Sequence, residues 1–214
     1  MTLRTHNWKK YLVRMVWVIG ILQVINPAFS SLRHTPSKGE KVFLNLQVIA
    51  VAEDARAIAA FNAVVDVFAH PRCKNCHAAG EGPTQGDEGR PHDMKVVRGA
   101  TGRGAGGARC NNCHQLTNGV GEKAAPGSPD WRMPPPETPM IFANKTPKEI
   151  CNQIKDPAQN GNKTLEDLIR HVKEDPRIQW SWNPGGKRTP APRTLQEFID
   201  KITEWINQGA ACPD

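Results

Sequence analysis

The chain has 214 residues and a formal net charge of +7, from 28 basic and 21 acidic residues, with 18 glycines and 18 prolines. The first 30 residues hold four basic residues and no acidic one, so more than half of the net charge lies at the amino end. No cluster of lysine or arginine elsewhere indicates a nucleic-acid partner, and that class of function is excluded. The glycine and proline content predicts long loops.

Residues 1–30 have the three-part layout of a secretory signal. A basic start is followed by an apolar run over residues 15–25, and the sequence NPAFS over residues 26–30 ends on small residues before a cut after Ser30. The apolar run is about half the length of a bilayer-spanning helix, which needs about 20 residues. A retained segment acting as a membrane tether is the alternative. Either way the rest of the chain is exported, which predicts a periplasmic location in a bacterium.

A loose segment is expected over residues 31–53, and a single domain over residues 54–214. Asp54 is a typical helix N-cap residue, and it precedes apolar positions that recur at helical spacing up to about Ala69. These positions are Ile58, Phe61, Val65 and Phe68. The sequence therefore predicts a helix that leads directly into the first of two cysteine motifs.

Four of the six cysteines lie in two copies of the pattern C-x-x-C-H. The copies are Cys73, Cys76 and His77, and then Cys110, Cys113 and His114. This pattern is the attachment signature of c-type haem. Two thiols one helical turn apart can add to the two vinyl groups of one haem, and the following histidine then supplies the proximal nitrogen to the iron. The sequence therefore predicts two covalently bound haems, with His77 and His114 as axial ligands.

A zinc site is the main alternative, because two CxxC pairs supply four thiolates. Here 33 residues separate the pairs, against about 15–20 in zinc ribbons. Zinc also gives no reason for a histidine directly after each pair. A redox dithiol would need an alternating strand-and-helix context, which the sequence lacks.

The other two cysteines, Cys151 and Cys212, have no CxxC partner. In an oxidising compartment two such thiols pair by default, so a disulfide between them is expected. Two separate free thiols are the alternative. The bridge would tie a mid-chain helix to the end of the chain.

The rest of the chain predicts loops followed by three capped helices. Residues 80–107 are rich in glycine and charge, which disfavours regular structure there apart from a short extended stretch at 95–97. Thr146, Thr164 and Thr194 each precede an amphipathic helical pattern, and each is a typical N-cap. The predicted fold class is all-α and cytochrome c-like, with helices and long loops around two haems.

Each iron needs a sixth ligand or an open site, and few side chains are available for the role. His92 is expected for one haem and Met140 for the other. Met94, His171 and Met133 are the alternatives. A methionine ligand raises the reduction potential relative to a second histidine.

Short characteristic stretches follow one another from about residue 60 to the end of the chain. They are HPRCKNCH (70–77), QGD (85–87), RPHDM (90–94), VRG (97–99), RCNNCH (109–114), WRMPP (131–135), PM (139–140), CNQIKDP (151–157), NG (160–161), His171, WSW (180–182) and GAACP (209–213). In this combination they resemble a family of small exported dihaem c-type cytochromes that are described as isoquinoline 1-oxidoreductase subunits. The resemblance implies a redox partner of the molybdenum hydroxylase or aldehyde-oxidising type. It does not cover the first 60 residues.

We expect an electron carrier that passes electrons from such an exported enzyme to the respiratory chain, and not an enzyme in its own right. A dihaem enzyme, such as a peroxidase or small-molecule oxidase, is the alternative and would require one open haem. A haem-based sensor would need an output domain, for which the chain has no room. The coordination state of the two irons separates these hypotheses.

Overall fold

The computed structural model describes residues 37–121 and 124–214, and the expected export signal at residues 1–30 lies outside them. Contacts divide the chain into two compact units, Met1–Asn45 and Leu46–Asp214. Among the described residues, no helix combines the length and the apolar character needed to cross a membrane. The site and its surroundings lie in the second unit.

Helix α1 spans Lys38–Asn62, and a second short helix, α2, spans Val65–Ala69. The prediction was a loose segment over residues 31–53 and a helix start at Asp54. Residues 31–36 lie outside the described residues, and from Lys38 onward the segment is helical instead. After Gly39 the segment contains no glycine or proline and is rich in good helix formers, so nothing in it ends a helix. Its apolar residues, such as Phe43, are exposed, and they therefore show no one-sided pattern.

Three later helices begin at the threonines that the sequence singles out. Helix α4 spans Pro147–Lys155, α6 spans Leu165–Glu174 and α8 spans Leu195–Asn207. Each starts with a capping box, in which the threonine and the third helical residue cap each other's backbone amides. The remaining short helices are α3 (Pro71–Lys74), α5 (Pro157–Asn160) and α7 (Pro176–Trp180). The chain is mostly helical, as predicted.

The hydrophobic core lies where α1 and α2 meet α8. Phe61 packs against Trp205 with ring centroids 5.3 Å apart. Phe68 contacts Phe142 and Phe198 at 5.2 and 5.4 Å. Aromatic pairs packed in this way stabilise the fold by more than the burial of their apolar area alone. This core forms the back wall of the site described below.

Two short antiparallel hairpins lie in the long loops. Strand β1 (Thr84–Gln85) pairs with β2 (Arg90–Pro91), and β3 (Gly104–Ala105) pairs with β4 (Ala108–Arg109). The sequence predicted no regular structure here beyond residues 95–97, which form no strand. Two-residue strands carry too little periodicity to be seen in a sequence.

Cys151 of α4 and Cys212 form a disulfide, with Cα atoms 5.7 Å apart, as the sequence predicts. Nearby, the Lys155 ammonium donates to the carbonyl of Ala210 at 2.7 Å. The Trp205 indole N–H donates to the carbonyl of Ala211 at 2.9 Å. The bridge and these two bonds fix the end of the chain against α4 and α8.

Candidate haem attachment sites

The first motif begins in α3, which starts directly after His70. The His70 ring nitrogen accepts from the Arg72 amide, and Pro71 occupies the first helical position. Backbone bonds from the amides of Cys76 and His77 to the Cys73 carbonyl continue the turn. The two cysteines and the histidine therefore project to one side, where all three line the same cavity.

This cavity has a volume of about 680 Å³, within the usual range of about 300–1,000 Å³ for cofactor sites. Its walls come from α2, α6, α8 and the proline-rich loop before α4. The apolar lining includes Val67, Phe68, Met133, Met140, Phe142, Ile154, Leu168, Val172, Trp182, Phe198 and Ile202. A large, mostly apolar cavity beside a CxxCH motif fits a haem.

His77 is held in one defined orientation. Its Nδ1 atom lies 2.6 Å from the backbone oxygen of Met140. A carbonyl can only accept, so Nδ1 carries the proton and Nε2 keeps its lone pair for a metal. Phe142 stacks on the ring at 4.1 Å. Burial lowers the pKa of His77 to about 4, so the ring is neutral at pH 7, as a ligand must be.

Met140, whose carbonyl accepts the hydrogen bond from His77, has an unusual backbone conformation. Its φ angle is 45°, in the left-handed region that non-glycine residues seldom adopt. Such a conformation persists only where its surroundings hold it, and it is common at functional sites. Here the residue in this conformation is the one whose carbonyl points at His77.

The thiols of the first motif do not suit redox or zinc chemistry. Burial raises the pKa of Cys73 to about 12 and that of Cys76 to about 11, whereas reactive dithiols have a lowered pKa. Within residues 37–121 and 124–214, no three side chains of the His, Cys, Asp and Glu types are placed to share a metal ion.

The second motif lies at the surface. A 3₁₀ helix spans Cys110–Asn112, and the amides of Cys113 and His114 bond back to the Cys110 carbonyl. Cys110 is half-buried and Cys113 is exposed. The two sites therefore differ in environment, although their motifs are alike.

His114 is held in the same way as His77. Its Nδ1 atom lies 2.7 Å from the backbone oxygen of Pro126, which again leaves Nε2 free. Trp131 stacks on the ring at 4.8 Å, with the two planes within 3° of each other. Burial lowers the pKa of His114, which favours the neutral ring.

His92 lies opposite His114. The two ring centroids are 6.2 Å apart, and the planes are tilted by 56°. Two metal–nitrogen bonds of about 2 Å each, together with the radii of the two rings, account for this separation. The Nδ1 atom of His92 is buried without a hydrogen-bond partner among the described residues, which is unusual for a buried ring nitrogen. The gap fits one iron between two imidazoles.

The other proposed ligands are distributed unequally between the sites. Met133, Met140 and His171 line the first cavity together with His77. Met94 is 69% exposed, in the loop that carries His92. The structure thus brings three of the five proposed sixth ligands to the first site and two to the neighbourhood of the second.

Several buried donors have no acceptor among the described residues. They are Arg72 Nε, Arg98 Nη1 and Trp182 Nε1. Arg72 and Trp182 line the first cavity, and burial lowers the pKa of Arg98, whose charge is poorly compensated. Unused donors of this kind fit a ligand that carries carboxylates, as haem does through its propionates.

Two parts of the site carry no signal in the sequence. The carbonyls that orient His77 and His114 belong to Met140 and Pro126, and any residue has a carbonyl. Phe142 was also missed, because its hydrophobic character is shared by every core residue.

Comparison of the chain with protein-family profiles, with curated protein sequences and with solved structures gave no match.

Proposed function

We propose that this chain is an exported dihaem c-type cytochrome that carries electrons. Cys73 and Cys76 hold one haem, and Cys110 and Cys113 hold the other. Such a group, when bound, supplies a one-electron centre that alternates between ferric and ferrous iron. The chain itself supplies attachment, axial ligands and a shielding wall.

One observation carries this proposal. The histidine after each CxxC pair gives its Nδ1 proton to a backbone carbonyl and keeps Nε2 free. This is the arrangement by which metal-ligating histidines are oriented and made more basic. It occurs twice, on loops of different sequence, at the two places that the motif predicts.

We assign His92 as the sixth ligand of the second haem. The separation of 6.2 Å between its ring and that of His114 supports this role, as does its unpartnered Nδ1. Met94 is the remaining alternative at this site, although its side chain is mostly exposed.

At the first site the contacts argue against Met140 as the sixth ligand and favour His171. Nδ1 and Nε2 lie on opposite sides of an imidazole ring. Because the Met140 carbonyl accepts from Nδ1 of His77, the Met140 backbone lies on the side away from an iron held by Nε2. The sixth ligand must come from beyond the iron.

His171 lines the same cavity from α6. Its Nδ1 atom lies 3.4 Å from a carboxylate oxygen of Asp175, which leaves Nε2 for a metal, in the pattern of carboxylate-oriented ligands. Burial lowers the pKa of His171 and keeps the ring neutral. Met133, which is buried in the same cavity, is the alternative.

Two irons that each have two ligands from the protein leave no open position for a substrate. This coordination favours a carrier over a peroxidase or oxidase. The resemblance of the sequence implies a molybdenum hydroxylase or aldehyde-oxidising enzyme as the donor, in the periplasm. A retained amino-terminal segment would tether the carrier to the membrane.

The test is spectroscopic. Purified holoprotein is expected to show the mass of two haems per chain, and EPR spectra of two low-spin ferric haems that do not bind carbon monoxide after reduction. A protein without covalent haem contradicts the proposal. A high-spin haem that turns over peroxide supports the enzyme alternative instead.

Replacing His92 by alanine is expected to open the second haem. The reduced variant should bind one carbon monoxide per chain, because an axial position becomes vacant, whereas the wild type binds none. Met94→Ala is the matched control in the same loop, and it should stay inert. Binding by Met94→Ala and not by His92→Ala would assign the methionine as the ligand.

His171→Ala is expected to open the first haem in the same way. Met133→Leu and Met140→Leu keep the apolar volume of the cavity and should leave both haems six-coordinate. A methionine-to-iron charge-transfer band in the wild type that disappears in either Leu variant would assign that methionine instead of His171.

A further inference from the structure

Asn118 lies at the centre of the segment between His114 and Pro126, which the structure describes at residues 115–121 and 124–127. Its Oδ1 atom accepts from the Gly127 amide at 2.9 Å and from the Trp180 indole N–H at 3.0 Å. Its Nδ2 atom donates to the Pro184 carbonyl at 3.0 Å. Both N–H groups can only donate and the carbonyl can only accept, so the orientation of the amide is unambiguous.

The first contact reaches His114 through a single peptide unit. The Gly127 N–H and the Pro126 C=O belong to the same planar peptide group, which is trans. Asn118 therefore accepts on one side of this group, while His114 donates to the other side. An acceptor on the N–H fixes the tilt of the plane and polarises the carbonyl toward the imidazole.

The second contact reaches His114 through two indole rings. The edge of Trp180 meets Trp131 with centroids 5.0 Å apart and planes at 86°. Trp131 in turn stacks on His114. The Asn118 Oδ1 atom thus holds both groups that contact the His114 ring. One is the Pro126 carbonyl, which accepts its hydrogen bond, and the other is Trp131, which stacks on it.

The backbone at Gly127 lies in close contact with the backbone at Thr117. A Cβ atom at Gly127 would lie 1.9 Å from the Thr117 carbonyl oxygen, so only glycine fits beside Asn118. This close contact keeps the Gly127 amide within hydrogen-bonding distance of the Asn118 side chain.

We propose that Asn118 is a positioning residue for the second haem. It sets the plane and the basicity of His114, and through them the spectrum and the potential of that haem alone. The inference rests on the proposed function, because it assumes an iron at His114. Among the described residues, the side chain of Asn118 hydrogen-bonds Gly127, Trp180 and Pro184, and neither His77 nor Met140.

The test is a redox titration of holoprotein followed by EPR, with the second haem identified as the one that His92→Ala alters. Asn118→Leu keeps the number and branching of the side-chain heavy atoms but cannot accept either hydrogen bond. It is expected to shift the largest g value and the potential of the second haem while leaving the first haem unchanged. Asn118→Asp keeps the acceptor oxygen, so the g value should be retained, and its negative charge should lower the potential of the second haem.

Asn75→Leu is the matched control. Asn75 also makes two amide hydrogen bonds, to the Gly86 carbonyl and from the Thr84 hydroxyl, but it lies in the first motif. It should leave the second haem unchanged. If Asn118→Leu does not accumulate, Asn118→Ser is too short to bind both donors and should give the same shift.

Unchanged g values and potentials in Asn118→Leu, with two haems counted by mass, would overturn the inference. Equal shifts of both haems would also overturn it, since they indicate a general structural defect. A wild type that lacks covalent haem refutes the proposed function instead, and the mass measurement distinguishes the two failures.

Discussion

Replacing Cys73, Cys76 and His77 together by alanine is expected to remove one haem and to prevent stable folding. The first cavity lies against the main core, and the first haem would fill it. Without the haem, the apolar lining of this cavity of about 680 Å³ loses the contacts that the haem would make and is exposed to water. A typical domain is stabilised by only about 5–15 kcal/mol, so a loss of burial on this scale is expected to unfold the chain. Soluble yield, the unfolding midpoint and the mass of the variant measure the effect.

The matched control is the same triple replacement at Cys110, Cys113 and His114. This site lies at the surface, and Cys113 is exposed, so its loss leaves no large cavity in the core. The variant should lose one haem by mass, remain folded and keep the optical spectrum of the first haem. Equal loss of stability in the two triple variants would contradict the difference in burial between the sites.

Removing the disulfide is expected to lower the free energy of unfolding by about 4 kcal/mol. Cys151 and Cys212 are separated by 61 positions in the sequence, so the bridge closes a long loop in the unfolded chain. The side chain of Cys151 is fully buried in the core. Denaturant unfolding of Cys151→Ala/Cys212→Ala holoprotein, followed by far-UV circular dichroism, gives the free energy directly.

Reduced wild-type protein is the control for packing, because it keeps both side chains but not the bond. It should lose nearly as much stability as the double variant, and reductant should have no effect on the variant itself. Free-thiol labelling of the native, unreduced protein should find neither cysteine. A variant as stable as the oxidised wild type would show that the bridge does not constrain the unfolded chain.

The two candidate sites differ in how far the chain covers them. The first is lined on one side by core residues such as Phe68 and Phe142. The second is at the surface, where Cys113 is exposed. Burial and solvent exposure both tune the potential of a bound redox centre, so the two haems are expected to differ in potential.

The sequence by itself determined the features whose signals are local. The capping boxes at Thr146, Thr164 and Thr194 need only four residues each, and all three predicted helices are present. The two CxxCH motifs are equally local, because attachment chemistry requires that spacing. The exposed helix over residues 38–53 was missed because exposed positions impose no hydrophobic period.

Only the tertiary structure decided what surrounds each proximal histidine. The carbonyl that orients His77 comes from Met140, 63 positions away, and a backbone carbonyl has no residue type to recognise. The sequence offered Met140 as a ligand through its side chain, whereas the contact that the structure adds is one of its backbone carbonyl with His77. The sequence did not indicate the proposed role of Asn118 either. That role depends on the peptide group between Pro126 and Gly127, which only the folded chain brings against the side chain.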